Sequence, residues 1–258
     1  MSMTKTPEEI EKLARGGALL SRALRAACDA VKPGAVVRDL DAIAERVIVE
    51  GGGEPSFKGY GGDDSTPAFP STVCISINDE IVHGLGNRKI ALREGDIVGL
   101  DIGCWFEGLC TDMAVTVPVG KVDAAGMKLI EVTKKSLEDA VAVVKVGGLI
   151  SDVGHAVEKS VAPSGYGIVR ALVGHGVGHK VHEAPHVPNY VDGRYPKVKI
   201  KDGMVLALEP MLGEGDWRVK TADDGWAVVM ADGKRGAHFE VTIAVTKEGV
   251  EILTPLPV

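Results

Sequence analysis

The chain has 258 residues, 45% of them apolar but only 4% aromatic, so it can bury a substantial core filled largely by Val, Ala, Leu and Gly. Its net charge of −7, with no Lys/Arg block interleaved with aromatics, argues against a nucleic-acid surface. No segment approaches the roughly 18 uninterrupted apolar residues of a membrane span, and Met-Ser-Met-Thr-Lys-Thr at the start lacks an apolar signal core, so a soluble, cytosolic protein is expected. Cys28, Cys74, Cys104 and Cys110 show no metal or framework spacing, which fits a reducing compartment.

Thr6-Pro7-Glu8-Glu9 reads as a helix start, with Thr6 as N-cap, proline at the first helical position and a glutamate placed for a capping box. Ile10, Leu13, Ala14, Leu20, Leu24, Ala27 and Val31 follow helical spacing until Lys32-Pro33-Gly34. A second helix is expected over about residues 39–50, burying Leu40, Ile43, Ala44 and Val47 and ending at Gly51-Gly52-Gly53. Two further helices, over about 123–144 and 152–161, repeat the first two: Val31-Lys32-Pro33-Gly34 is matched by Val144-Lys145-Val146-Gly147, and Asp39-Leu40 by Asp152-Val153.

The strands repeat as well. Arg93-Glu94-Gly95-Asp96-Ile97-Val98-Gly99-Leu100-Asp101 is echoed by Lys201-Asp202-Gly203-Met204-Val205-Leu206-Ala207-Leu208-Glu209. Each copy precedes another β-prone run with an acid, Asp112 in the first and Glu240 in the second. Strand period places Gly99, Asp101 and Gly103 on one face, with small neighbours leaving room beside the carboxylate, and Ala207 and Glu209 share a face in the other copy. A turn at Glu107-Gly108 would set Asp101 and Asp112 on a common face, opposite or diagonal, and Cys104 and Cys110 on opposite faces, so no disulfide is expected. The expected fold class is α+β: one domain over 1–258 with an internal repeat of about 6–118 and 122–250, its halves meeting about a pseudo-two-fold that gathers both acid pairs in a central cleft.

An unpartnered carboxylate buried in such strands costs several kcal/mol or neutralises. Single acids of this kind often sit on edge strands or in salt bridges; two matched pairs point instead to a shared purpose. Among the histidines, His175 lies between two glycines and His182 follows Val181, and His83 echoes His182 in the other half. The glycines of the 174–178 run would let backbone approach a ligand closely. His179 beside Lys180 reads as exposed, and His155 and His186 as ordinary surface histidines.

Four acids in one cleft require cations, and two divalent ions supply the missing charge. Carboxylates with one imidazole favour Co, Mn, Fe or Zn, and two such ions roughly 3.5–4 Å apart make a hydrolase site. A glycosidase dyad is the competing acid/base reading, but it leaves the second pair and His175 unexplained.

At these residues the chain resembles the type I methionine aminopeptidases of the pita-bread metallopeptidase fold. The likeness is carried by Ser76-Ile77-Asn78-Asp79-Glu80-Ile81-Val82-His83-Gly84, Leu100-Asp101-Ile102-Gly103, Thr111-Asp112, Gly174-His175-Gly176-Val177-Gly178, Val181-His182-Glu183-Ala184-Pro185, Leu208-Glu209-Pro210-Met211 and Phe239-Glu240-Val241-Thr242. It implies metal ligands at Asp101, Asp112, His175, Glu209 and Glu240, with Asp112 and Glu240 bridging two ions, Asp101 on one, and His175 with Glu209 on the other. It further implies removal of an N-terminal methionine, preferentially before a small residue, by a bridging hydroxide, with Glu209 handling the proton. His182 would stabilise the oxyanion or orient the peptide, and His83 would contact the scissile amide nitrogen. Tyr60, Phe69, Cys74 and Trp226 would line the methionine pocket.

The resemblance implies a cytoplasmic monomer acting on peptides and nascent chains, with a possible ribosome contact. Three departures stand out: the long Gly61-Gly62-Asp63-Asp64-Ser65-Thr66-Pro67-Ala68 segment, expected as a mobile surface loop; Gly61 where a histidine is usual; and Val181 where an aromatic is common, implying a roomier pocket. Proline-specific dipeptidases share the ligand set, and some relatives that have lost catalysis act as binding modules but drop ligands.

Overall fold

Thr6 opens the first helix through the capping box read from its sequence: its hydroxyl accepts the Glu9 amide and the Glu9 carboxylate accepts the Thr6 amide. The structure, a computed structural model, describes residues 3–62 and 67–257. Helix α1 (Pro7–Asp29) ends short of Lys32-Pro33-Gly34, where the Ala30 amide folds back onto the Ala27 carbonyl and the Val31 amide onto the Cys28 carbonyl. Helix α2 (Val37–Glu50) begins earlier than expected and buries Val37, Leu40, Ala44 and Ile48, with Ile43 and Val47 only partly covered. Helices α3 (Ala124–Val143, capped by Asp123) and α4 (Ser151–Val161) form the second packed pair. No helix among the described residues is long and apolar enough to cross a membrane.

A nine-stranded antiparallel sheet carries the site. Its strands are β1 (Glu54–Pro55), β2 (Val73–Ile77), β3 (Ile97–Phe106), β4 (Leu109–Pro118), β5 (Gly174–Gly176), β6 (Glu183–Val187), β7 (Met204–Leu208), β8 (Glu240–Thr246) and β9 (Gly249–Ile252). The path runs β1-β3-β4-β8-β7-β5-β6, with β2 also on β3 and β9 also on β8. The hairpin β3–β4 turns at Glu107-Gly108, both at positive φ (49° and 79°), the twist a two-residue hairpin turn requires. Helix pairs and curled sheet together form the pita-bread α+β fold expected from the sequence.

Period-2 alternation divides the sheet into two faces. Val98, Leu100, Ile102 and Cys104 of β3, Met113, Val115 and Val117 of β4, Leu206 and Leu208 of β7 and Val241, Ile243 and Val245 of β8 join the helices in one core. Gly99, Asp101, Asp112, Ala207, Glu240 and Thr242 alternate with them and so belong to the opposite face. Gly16 and Gly17 let α1 lie tightly against its neighbours: a Cβ on Gly17 would sit 2.0 Å from the Leu253 carbonyl oxygen. All four cysteines are free, and Cys104 and Cys110 fall into different core clusters on the two faces of the hairpin, as expected.

Candidate metal centre

The hairpin delivers the first two acids. Asp101 pairs with Ala114 and Asp112 with Gly103, so the carboxylates are diagonal neighbours on one face. Strand β8 brings Glu240 opposite Ala114, and β7 ends just before Glu209. His175 on β5 pairs with Ala207 of β7.

Two threonine hydroxyls hold this register where the β4–β8 ladder stops. The Asp112 amide donates to Thr242 Oγ1 (3.0 Å), and that hydroxyl donates to the Asp112 carbonyl (2.8 Å). The Thr242 amide in turn donates to Thr254 Oγ1 (2.7 Å), whose hydroxyl also reaches the Asp112 carbonyl (3.3 Å). At the other end, Thr116 Oγ1 accepts the His238 amide and donates to the His238 carbonyl, both at 2.9 Å. Backbone groups that strand pairing would leave open are thus satisfied by side chains, and Glu240 is fixed between the two clamps.

Asp112, His175 and Glu240 each offer a ligand atom, all within 4.8 Å of one another. His175 Nε2 lies 3.4 Å from Glu209 Oε1. His175 Nδ1 is 2.9 Å from the Gly176 carbonyl, which can only accept, so Nδ1 carries the proton and Nε2 keeps a lone pair for the cluster. Asp101, Asp112, Glu209 and Glu240 are all at least nine-tenths buried. Asp101 Oδ1, Asp112 Oδ1 and Glu240 Oε1 have no hydrogen-bond partner among the described residues.

Burial pushes the Asp101 carboxyl up to about 7. Burial also raises Asp112, with the Asp101 charge adding to it; Glu209 rises through burial and then Asp112 and Asp101; Glu240 through burial, Asp112, Glu209 and Asp101. Burial draws His175 down to about 4, leaving it neutral. Orphaned oxygens, mutual repulsion and a neutral imidazole are what a divalent-cation site requires, so the residues present fit the metal the chemistry asks for.

Above the cluster lies a cavity of about 530 Å³. His83 and His182 line it together, each held below its usual range by burial, His83 at about 4 with His182 contributing. His83 has a left-handed backbone (φ 60°), costly for a non-glycine residue and characteristic of functional sites. Its turn is braced by Glu80, which accepts the Ile77 amide and two Arg88 contacts (2.5 and 2.8 Å). Tyr60 Oη and His182 Nδ1 are 2.8 Å apart, and the His182 ring also stands edge-on to His175 at 4.4 Å.

Tyr60, Phe69, Cys74 and Trp226 all line the cavity, Phe69 and Trp226 edge-to-face at 5.2 Å. Trp226 Nε1 donates to the Pro67 carbonyl (2.9 Å), closing the rim, and Gly61 lies against its ring. Of the long 61–68 segment, residues 63–66 lie outside the described residues, including Asp63 and Asp64.

Several local expectations need correction. The room beside Asp101 at Gly103 is filled by the protein itself, since a Cβ there would lie 2.1 Å from Ser56 Oγ and 3.0 Å from the Phe57 ring. Gly174 and Gly176 admit neighbouring backbone rather than a ligand: the Ala207 and Ala184 carbonyl oxygens would each lie 2.4 Å from an added Cβ. His179 is half-buried and paired to Glu9 at 2.7 Å, and His186 reaches the cavity lining. Val181 is buried in a core cluster and is not among the cavity-lining residues.

Phe57, Met211 and His238 line the cavity unforeseen. His238 ends a separate short strand (Gly236–His238) two residues before Glu240; its Nε2 is buried, has no hydrogen-bond partner among the described residues and is 3.8 Å from Glu240 Oε2.

Acids and an imidazole meeting beneath a largely apolar cavity, on an antiparallel sheet, define a metal-dependent hydrolase. The model for metallopeptidase family M24 matches residues 11–247. A curated methionine aminopeptidase of Clostridium acetobutylicum is 42% identical over 98% of this chain and 99% of its own length. The crystal structure of methionine aminopeptidase from Thermotoga maritima superposes with a TM-score of 0.91 at 42% identity, covering 97% of this chain and 98% of that one. Prolidase from Pyrococcus furiosus shares the fold at a TM-score of 0.77 but only 22% identity, covering 98% of this chain and 65% of that one. The chain belongs to metallopeptidase family M24 and, within it, to the methionine aminopeptidases.

Proposed function

We propose that this chain removes the N-terminal methionine from peptides and nascent proteins in the cytoplasm, preferring a small second residue. The observation that carries the reading is the convergence of Asp112, His175 and Glu240 within 4.8 Å beneath an apolar cavity bearing two neutral histidines. Asp101, Asp112, His175, Glu209 and Glu240 would hold two divalent ions of the Co, Mn, Fe or Zn type. Once bound, such ions supply Lewis-acid activation of water and of the scissile carbonyl.

The chain's own groups do the rest. The Glu209 carboxylate takes a proton from the attacking water and passes it to the departing amine. With the Tyr60 hydroxyl donating to His182 Nδ1, the His182 proton sits on Nε2 and is free to donate to the oxyanion. His83, neutral near pH 7, meets the scissile amide nitrogen. Tyr60, Phe69, Cys74 and Trp226 receive the methionine side chain, where each sulfur–aromatic contact is worth about 0.3–1.5 kcal/mol. The machinery sits in one monomeric catalytic domain over 1–258, with halves of about 6–118 and 122–250 arising by duplication. A ribosome contact would bring nascent chains to it.

Metal analysis combined with hydrolysis of Met-Ala, Met-Leu and Ala-Ala peptides tests the reading. Metal-dependent release of methionine, faster from Met-Ala, is expected. Equal cleavage of Ala-Ala, or undiminished activity after chelation, would refute it.

A further inference from the structure

Outside the cavity, the most firmly placed charge belongs to Lys5. Its side chain is 1% exposed, and Nζ lies 2.8 Å from Glu183 Oε2, itself on a side chain only 8% exposed. The Lys5 amide donates to the Gly203 carbonyl at 2.7 Å, so its backbone is held independently of the ion pair. Glu183 uses its other oxygen to accept the Lys180 amide (2.8 Å), closing the turn on which His182 stands.

Gly178 makes the approach possible. Its φ is 139°, and a Cβ there would lie 2.3 Å from Lys5 Cε. Its amide donates to the Lys180 carbonyl (3.1 Å), and its own carbonyl accepts the Cys110 amide (2.7 Å), so the turn is also anchored to β4. His179 adds a second tie to the same N-terminal segment through Glu9. A buried ion pair adds little net stability over apolar packing, while it fixes one conformation against others. What this one fixes is the backbone on either side of His182.

We propose that Lys5, acting through Glu183, is a positioning residue that holds His182 in register with the scissile carbonyl. The inference rests on the oxyanion role assigned to His182 above. A group held off its productive position by about 1 Å loses up to ~10²-fold in rate. Residues 3–9 thus belong to the catalytic apparatus without touching substrate.

The test uses the full chain with saturating divalent metal and a Met-Ala peptide, comparing wild type, Lys5→Met, Lys5→Arg, His182→Ala and the Lys5→Met/His182→Ala pair. Lys5→Met is expected to lower kcat by about tenfold or more, with KM and bound metal unchanged, since an interaction made only in the transition state is lost. Lys5→Arg should recover most of that loss. In the His182→Ala background, Lys5→Met should change kcat by less than about twofold, because two residues acting as a unit are not additive. Glu183→Gln is read in the same way if Lys5→Met does not fold.

An equal kcat loss with and without His182 would overturn the inference. So would a lowered thermal midpoint with intact kcat, which is the signature of a purely structural staple. Wild-type turnover in His182→Ala would overturn it together with the proposed role of His182. A defective His182→Ala beside a normal Lys5→Met overturns this inference alone.

Discussion

Replacing Asp101 by asparagine should make the metal-free protein more stable near neutral pH, not less. In the native state burial lifts this carboxyl from its ordinary 3.8 to about 7. The folded chain therefore keeps a proton that the unfolded chain releases, so the associated stability is present below about pH 4 and lost as pH rises through about 7. At about 1.4 kcal/mol per pH unit the difference is on the order of 4 kcal/mol, a large part of the about 5–15 kcal/mol that holds a domain folded. Asp101→Asn removes that liability and also one of the charges that raise Asp112, Glu209 and Glu240.

Urea unfolding followed by circular dichroism between about pH 4.5 and 8.5, in the presence of chelator, measures the effect. The two proteins should be similar at the acid end and diverge in favour of Asp101→Asn as pH rises. Adding a divalent ion should reverse the order at neutral pH, since wild type binds it more tightly and gains stability by mass action. A wild-type-minus-variant difference that does not change with pH would refute the argument that unneutralised buried charge dominates this site.

Three further outcomes follow from the supports of the site. Thr242→Val removes the hydroxyl that serves both the Asp112 amide and carbonyl; it should cost about 1–3 kcal/mol for each group left unpaired and weaken metal affinity by about 10–100-fold, measured by chemical denaturation and metal titration. Gly17→Ala places a methyl 2.0 Å from the Leu253 carbonyl oxygen; a loss of about 1–3 kcal/mol is expected in the urea midpoint, with kcat per folded molecule unchanged. Tyr60→Phe deletes the partner of His182 Nδ1 but keeps the ring; kcat should fall with little change in KM, and a rise in KM alone would make Tyr60 a pocket wall only.

What could be read from the chain beforehand was what repeats at short range. Strand period and a tight turn were enough to put Asp101 and Asp112 on one face, opposite or diagonal, and the register of the hairpin makes them diagonal; the matching run around Glu209 pointed to the second pair. The capping box at Thr6 was legible for the same reason, since all its partners lie within four residues.

Contacts between distant segments were not legible. Lys5 and Glu183 are 178 positions apart, and Thr242 and Asp112 are 130 apart, so no local pattern links them. Glycine was the most misleading residue: Gly103, Gly174 and Gly176 make room for other parts of the chain, where the sequence alone invited a ligand. His238 was overlooked although it lies only two residues before Glu240, because a lone histidine beside phenylalanine looks like ordinary core.

The contact of Thr254 with both Thr242 and Asp112 has a consequence for biosynthesis. A growing polypeptide that stops short of residue 254 has already made every acid of the cluster, yet it lacks a brace beneath two of the strands that present them. A chain cut before residue 254 is therefore expected to hold a divalent ion more weakly than the full chain, a difference that metal titration reads.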